Sequence, residues 1–192
     1  MNIILASKSK RRKDLLKRLV KDFRVIDSEF DESTINIKNP KKYCKKLAIL
    51  KAQKVASMDS LSPNSIVIGA DTIVSINNEI LEKPSNYKEA FKMLKKLSGD
   101  VHFVYTGVSI ISTLNDIHIN FIEKTKVKFI NLRDKDIESY ILKSQPYDKS
   151  GSYGIQDPDF IFADHIVGNY ENVIGLPISR IFNSLLELKA IK

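Results

Sequence analysis

Short apolar runs and amphipathic helical stretches alternate along the whole chain, and this alternation most restricts the fold. The clearest run, Ser65-Ile66-Val67-Ile68-Gly69-Ala70, reads as a buried strand ending at Asp71-Thr72. Residues 73–76 then turn at Asn77-Asn78 into Glu79-Ile80-Leu81, so a hairpin is expected after the aspartate. Residues 3–6 form another strand candidate, which passes through Ser7 and Ser9 into a helical pattern with Leu15, Leu16, Leu19 and Val20 on one face. Helices are also expected at about 40–57, from Ser85 or Asn86 to a C-cap at Gly99, at 134–143, and from Pro177 onward. Two long strands flank Leu114-Asn115-Asp116, the second with lysines 124, 126 and 128 on a wet face, and residues 160–162 and 173–175 also read as strands. No repeat, low-complexity tract or Gly/Ser linker divides the chain, so one mixed α/β domain over residues 1–192 is expected.

A chain of 192 residues can bury a sizeable core. With 43% hydrophobic and 28% charged residues it lies well away from the composition of disordered chains. Cys44 is the single cysteine, which allows no internal disulfide and no zinc spacing. The first residues lack the order of a signal peptide and no run approaches a membrane span, so a cytoplasmic protein without membrane contact is expected. The net charge of +8 favours anionic partners, although a lysine-rich composition alone supplies much of it.

Four places carry candidate chemistry. Ser7-Lys8-Ser9-Lys10-Arg11-Arg12 lies where a strand hands over to a helix, and its N–H groups and two guanidinium forks suit phosphate oxygens. It lacks the glycines of a P-loop. Asp71, a carboxylate following an apolar strand, is an odd choice for packing, and Glu32 can supply a second carboxylate for a metal ion such as Mg²⁺. Lys83, held extended by Pro84, can neutralise a phosphate, as can Lys51, while a solvated lysine is the commoner reading of either in so lysine-rich a chain. Gln156 follows Gly151-Ser152-Tyr153-Gly154-Ile155, and its amide offers one donor and one acceptor group that can match the N3–H and a carbonyl of uracil or thymine. The three histidines are far apart, without metal spacing, and no role is assigned to them.

In order and spacing these stretches resemble the Maf family across nearly the whole chain. The matching segments are 5–12 with Leu15-Leu16, Gly69-Ala70-Asp71-Thr72-Ile73-Val74, Leu81-Glu82-Lys83-Pro84, Thr106-Gly107-Val108, 148–156 and Val173-Ile174-Gly175-Leu176-Pro177. Lys10 stands where the family usually has proline, a loss of turn preorganisation and not of chemistry. The resemblance implies a Maf/Ham1 (ITPase-like) fold, an elongated mixed sheet flanked by helices with a cleft between two lobes. It also implies metal-dependent hydrolysis of a nucleoside triphosphate to the monophosphate and pyrophosphate, with Mg²⁺ or Mn²⁺, and by analogy a homodimer. On the matching positions Asp71 would be the catalytic base and, with Glu32, a metal ligand; Arg12, Thr72 and Gln156 would set base specificity; Ser7, Arg11, Lys51 and Lys83 would bind phosphate. The Asp-Thr and Tyr-Gly-Ile-Gln forms look like the dTTP/UTP-type members and unlike the 7-methyl-GTP type.

Two other functions are compatible with these residues. One is the same reaction on a modified or methylated nucleotide. The other is a basic nucleic-acid-binding or septum-regulatory protein without catalysis, which the charge favours and the lack of any helix-turn-helix or aromatic RNA-binding motif opposes.

Overall fold

The structure, a computed structural model, describes residues 1–191. In chain order the elements are β1 (Asn2–Leu5), α1 (Lys10–Leu16), β2 (Arg24–Val25), α2 (Pro40–Ala56), β3 (Ser65–Ile76), β4 (Glu79–Leu81) and α3 (Tyr87–Leu97). They continue with β5 (Val101–Ser112), β6 (Ile117–Phe129), α4 (Asp134–Ser144), β7 (Ala163–Val167), α5 (Tyr170–Ile174) and α6 (Ile178–Glu187). The seven strands form one sheet in the order β2-β1-β3-β5-β6-β7, with β4 also on β3. The β1 strand runs parallel to β2 and β3 while the other pairings are antiparallel, so the sheet is mixed.

Local sequence sets most of these boundaries. Asn39 caps α2, its side chain accepting from the Lys42 N–H at 3.1 Å, and Pro40 follows where no N–H is needed. Asn86 caps α3 in the same way at 3.0 Å, while Glu89 reaches back to the Ser85 N–H at 2.8 Å. The β3–β4 turn uses Asn77 and Asn78 at φ 50° and 63°, the left-handed pair that a tight hairpin needs.

Three expectations change. Asp71 does not end a strand: β3 runs on to Ile76 because β5 pairs with it without a break from Ile66 to Ser75, Asp71 lying opposite Gly107. Residues 173 and 174 end α5 and Gly175 is its C-cap, the first turn being capped by Asn169 accepting from the Asn172 N–H at 2.7 Å. Residues 160–162 precede β7 instead of forming a strand, tied to the sheet by the Ile130 N–H donating to the Phe162 carbonyl at 2.9 Å.

The sheet separates two kinds of packing. On one face α2 lies over β3 and β5, with Leu47, Ala48, Ala52 and Val55 wholly buried. A Cβ on Gly69 would stand 2.5 Å from the Ala48 carbonyl oxygen, and one on Gly107 2.4 Å from that of Cys44, so only glycine permits this approach. The opposite face carries two cores. One gathers Ile3, Leu5, Leu16, Ile66, Ile68, Val108 and Ile181. The other gathers Val74, Ile76, Leu94, Val104, Phe129, Tyr140 and Phe162. Each such side chain stabilises the fold by roughly 1.5–3 kcal/mol when fully buried. Thr72 lies between Ala70 of the first core and Val74 of the second, and Thr106 lies between Val104 and Val108, so a polar band divides the two.

One consequence of the topology positions the site. On its outer edge β3 meets β1 only as far as Leu5 opposite Ile68, and meets β4 only from Val74 opposite Leu81. Between them the edge has no strand partner among the described residues. Successive side chains alternate faces, so Asp71 points toward α2 and Thr72 toward the two cores. Both reach the same gap.

Candidate active site

On the α2 side the gap is charged. Lys51, 8% exposed, donates from Nζ to Asp71 Oδ1 at 2.6 Å, and the same nitrogen stands 2.8 Å from Glu32 Oε1. Asp71 is 6% exposed. Glu32 opens a short 3₁₀ turn (Glu32–Thr34) capped by Asp31, whose carboxylate accepts from the Ser33 N–H at 3.0 Å. Burial pushes the Glu32 carboxyl up, and the attraction of Lys51, with Lys83 and Arg12 adding to it, brings it below its ordinary value.

On the other side hydroxyls and one guanidinium meet. Arg12 donates from Nε to the Gly175 carbonyl at 3.0 Å, from Nη1 to Ser7 Oγ at 3.2 Å and from Nη2 to Thr72 Oγ1 at 3.0 Å. Burial lowers the Arg12 pKa against the pull of Asp71, yet a guanidinium keeps its charge in any such setting. Thr72 Oγ1 is 2.9 Å from Thr106 Oγ1, and Thr106 reaches the Asn172 carbonyl at 3.1 Å. Arg11 crosses the cleft to Asp148, donating to its carboxylate at 2.8 Å and its carbonyl at 3.3 Å.

Gln156 arrives on a loop held from below. Ser150 Oγ accepts from the Val74 N–H at 2.8 Å, the Tyr153 hydroxyl meets His102 Nε2 at 2.8 Å, and the Gly154 N–H donates to the Tyr140 hydroxyl at 2.9 Å. Gln156 itself is exposed. The result is a cleft of about 620 Å³ that Ser7, Arg11, Arg12, Glu32, Lys51, Asp71, Thr72, Lys83 and Gln156 all line.

Residues 2–188 match the profile of the family described as Maf-like protein. The chain belongs to the Maf family. It is 45% identical over 188 residues to a protein of Clostridium botulinum (strain Kyoto / Type A2) named dTTP/UTP pyrophosphatase, the alignment covering 97% of each chain. A protein of the same name from Thermosipho africanus is 49% identical over 185 residues, covering 96% of this chain and 92% of that one. One from Clostridium perfringens (strain SM101 / Type A) is 44% identical over 186 residues, 96% of each. Among solved structures, the Staphylococcus aureus Ham1 protein aligns at 17% identity and a TM-score of 0.45, over 67% of this chain and 72% of that chain, too slight a likeness to carry an argument.

In this Maf-family chain the donor set suits one kind of cation. Among the described residues no three His, Cys, Asp or Glu side chains converge, so the protein offers no cage of its own. It offers two carboxylates that already bracket one positive charge, the Lys51 ammonium. Mg²⁺ is commonly held by one or two carboxylates, the rest of its shell being water and substrate phosphate, so the residues fit such an ion.

Some cleft residues carried no assigned chemistry in the sequence. Asp148 and Lys149 line the cleft, Lys149 lying 3.0 Å from Asp148 Oδ1 and 3.8 Å from Asp157 Oδ2. Thr106 is wholly buried behind Thr72. All three stand in Maf-matching stretches, but a surface-type charge pair and a strand threonine are ordinary residues until their neighbours are known. Of the histidines, His102 is buried against Tyr153, while His118 and His165 are exposed. No helix among the described residues is long and apolar enough to cross a membrane.

Proposed function

We propose that this chain hydrolyses dTTP and UTP to the nucleoside monophosphate and pyrophosphate. Its relatives at 44–49% identity over nearly their full length carry that name. The observation that carries the reading is the junction at Asp71-Thr72, where a lysine-held carboxylate and an arginine-held hydroxyl open side by side into one cleft.

Cleavage between the α and β phosphates demands a positioned water, neutralised phosphate charge and an in-line approach. Lys51 occupies Oδ1 of Asp71, which leaves Oδ2 to accept the proton of the attacking water. Ser7, Arg11 and Lys83 face the triphosphate and take up its charge, Arg11 exchanging Asp148 for phosphate oxygens. Glu32 and Asp71 would hold a divalent cation, Mg²⁺ or Mn²⁺, which when bound neutralises phosphate charge. Arg12, Thr72 and Gln156 face the base. The cytoplasm, where the nucleotide pool lies, is the compartment this activity requires.

Pyrophosphate release from dTTP, UTP, CTP and 7-methyl-GTP by wild type and Asp71→Asn tests the proposal. The wild type is expected to turn over dTTP and UTP far faster than the other two. A preference for 7-methyl-GTP, or undiminished UTP turnover in the Asn variant, would overturn it.

A further inference from the structure

We infer that Thr106, buried out of reach of any substrate, is a specificity-determining positioning residue: it accepts the hydrogen bond of the Thr72 hydroxyl and so leaves Thr72 as a hydrogen-bond acceptor toward the base. The inference rests on the proposed pyrimidine triphosphate activity and adds to it the device that reads N3 of the base.

Proton accounting gives the direction of the chain. Thr72 and Thr106 each own one hydroxyl proton and stand 2.9 Å apart. Two carbonyls compete for these protons, that of Asn172 at 3.1 Å from Thr106 and that of Gly175 at 3.3 Å from Thr72. Gly175 already accepts from Arg12 Nε at 3.0 Å. Asn172 has no such alternative: the Gly175 and Leu176 N–H groups both go to the Glu171 carbonyl, and residue 177 is proline. Asn172 and Thr106 are wholly buried, so water does not reach that carbonyl.

If Thr106 gave its proton to Thr72, the Asn172 oxygen would stand in the interior without a donor. With Thr106 donating to Asn172 and Thr72 donating to Thr106, every one of these buried acceptors is satisfied, and the second arrangement therefore prevails. The bonds then run in one sense, from the Arg12 guanidinium through Thr72 and Thr106 to the Asn172 carbonyl.

This fixes what faces the cleft. Thr72 Oγ1 has spent its proton on Thr106 and one lone pair on Arg12 Nη2, leaving one lone pair. Arg12 has five N–H groups, of which three are engaged with Gly175, Ser7 and Thr72, leaving donors beside that lone pair. Gln156 adds an amide donor from the loop. A donor, an acceptor and a donor match the O2, N3–H and O4 edge that uracil and thymine share. Cytosine presents a bare N3 lone pair at the central position, which would face the Thr72 lone pair. Without Thr106, Thr72 is free to turn its proton outward and serve either base.

The test is the ratio of kcat/KM for UTP to that for CTP in wild type, Thr106→Val and Thr106→Ser. Valine keeps the shape and removes the hydroxyl, whereas serine keeps it. Both substrates are measured on one preparation, so the folded fraction cancels from the ratio even where a variant is partly unfolded. The expected result is a fall of about tenfold in the ratio for Val, the size of one directed hydrogen bond, and a ratio near wild type for Ser. A merely structural role would lower both substrates alike and leave the ratio unchanged, and that result would overturn the inference. A wild type with no preference for UTP over CTP would instead sink the proposed selectivity for uracil and thymine over cytosine, and this device with it.

Discussion

Asp71 and Thr72 are neighbours in sequence that live in different environments. The first faces α2 and is held by an ammonium; the second faces the two cores and is held by a guanidinium on one side and a buried hydroxyl on the other. Ion pairing is strong but weakly directional, so the α2 side places charge. Hydroxyl chains are weak but directional, so the other side places a pattern of donors and acceptors. Strand alternation separates the two and the unpaired stretch of the β3 edge reunites them in one cleft. The comparison implies that turnover and base choice are separable by mutation.

The sharpest way to break that claim is Asp71→Asn. The amide keeps the shape and loses the base, and kcat for UTP is expected to fall by about 10²–10⁴, the usual worth of a positioned general base. The UTP-to-CTP preference should survive in what activity remains. A variant that loses turnover and preference together, in single-turnover assays with both substrates, would show that the two sides act as one.

Lys51→Met attacks the charged side through stability. It leaves Asp71 and Glu32 facing one another without their shared cation, and breaking a buried pair by removing one partner costs about 3–5 kcal/mol. The pH dependence carries a sign. In the wild type the Glu32 carboxyl sits below its ordinary value, so its contribution is present above the unfolded pKa, about 4.3, and is lost as pH falls through the folded one. Without Lys51 only the smaller pulls of Lys83 and Arg12 oppose burial, and that contribution shrinks. The gap in melting temperature between wild type and variant is therefore expected to be widest near neutrality and to narrow below about pH 4; a constant gap would mean that Lys51 acts by packing alone.

On the hydroxyl side the weak point is a neutral group. His102 is wholly buried, its Nε2 engaged by Tyr153 and its Nδ1 without a partner, and burial pushes its pKa down to about 4 against a small opposing pull from Asp100. Its folded pKa is below the unfolded value of about 6.5, so unfolding takes up a proton and stability drains away as pH falls from about 6.5 toward 4, by at most about 3 kcal/mol. Between about pH 6.5 and 5, above the carboxylate range, the melting temperature of the wild type should drop while that of His102→Phe stays level. Parallel curves would remove His102 as the cause.

How much of this could be read from the chain alone divides along the same line. Alternation of Lys124, Lys126 and Lys128 with Thr125, Val127 and Phe129 foretold one wet face of β6, and Asn39-Pro40 and Asn86 foretold the starts of α2 and α3, because these signals act within a few residues. Asp71 was legible as an unusual carboxylate but not as a mid-strand residue, since pairing with β5, more than thirty residues on, carries the strand unbroken through it. The stretch at 173–175 is apolar enough for a strand and becomes a helix end because Asn169 caps it. Thr106 was invisible for a plainer reason: its meaning lies in which carbonyl lacks a donor 66 residues away, and no periodicity encodes that.

The smallest expected effect belongs to Gln156, and it is the cleanest test of separability. Its side chain is exposed and makes only a 3.4 Å contact with Asp157, so its removal disturbs neither core nor the Lys51 cluster. Gln156→Ala should leave the melting temperature unchanged and kcat for UTP within a few-fold of wild type. KM for UTP should rise and the UTP-to-CTP preference should fall by about tenfold, the worth of one donor to a base carbonyl. If kcat collapses instead, the base must position the α-phosphate for attack through this amide, and selectivity and chemistry would be coupled from the hydroxyl side after all.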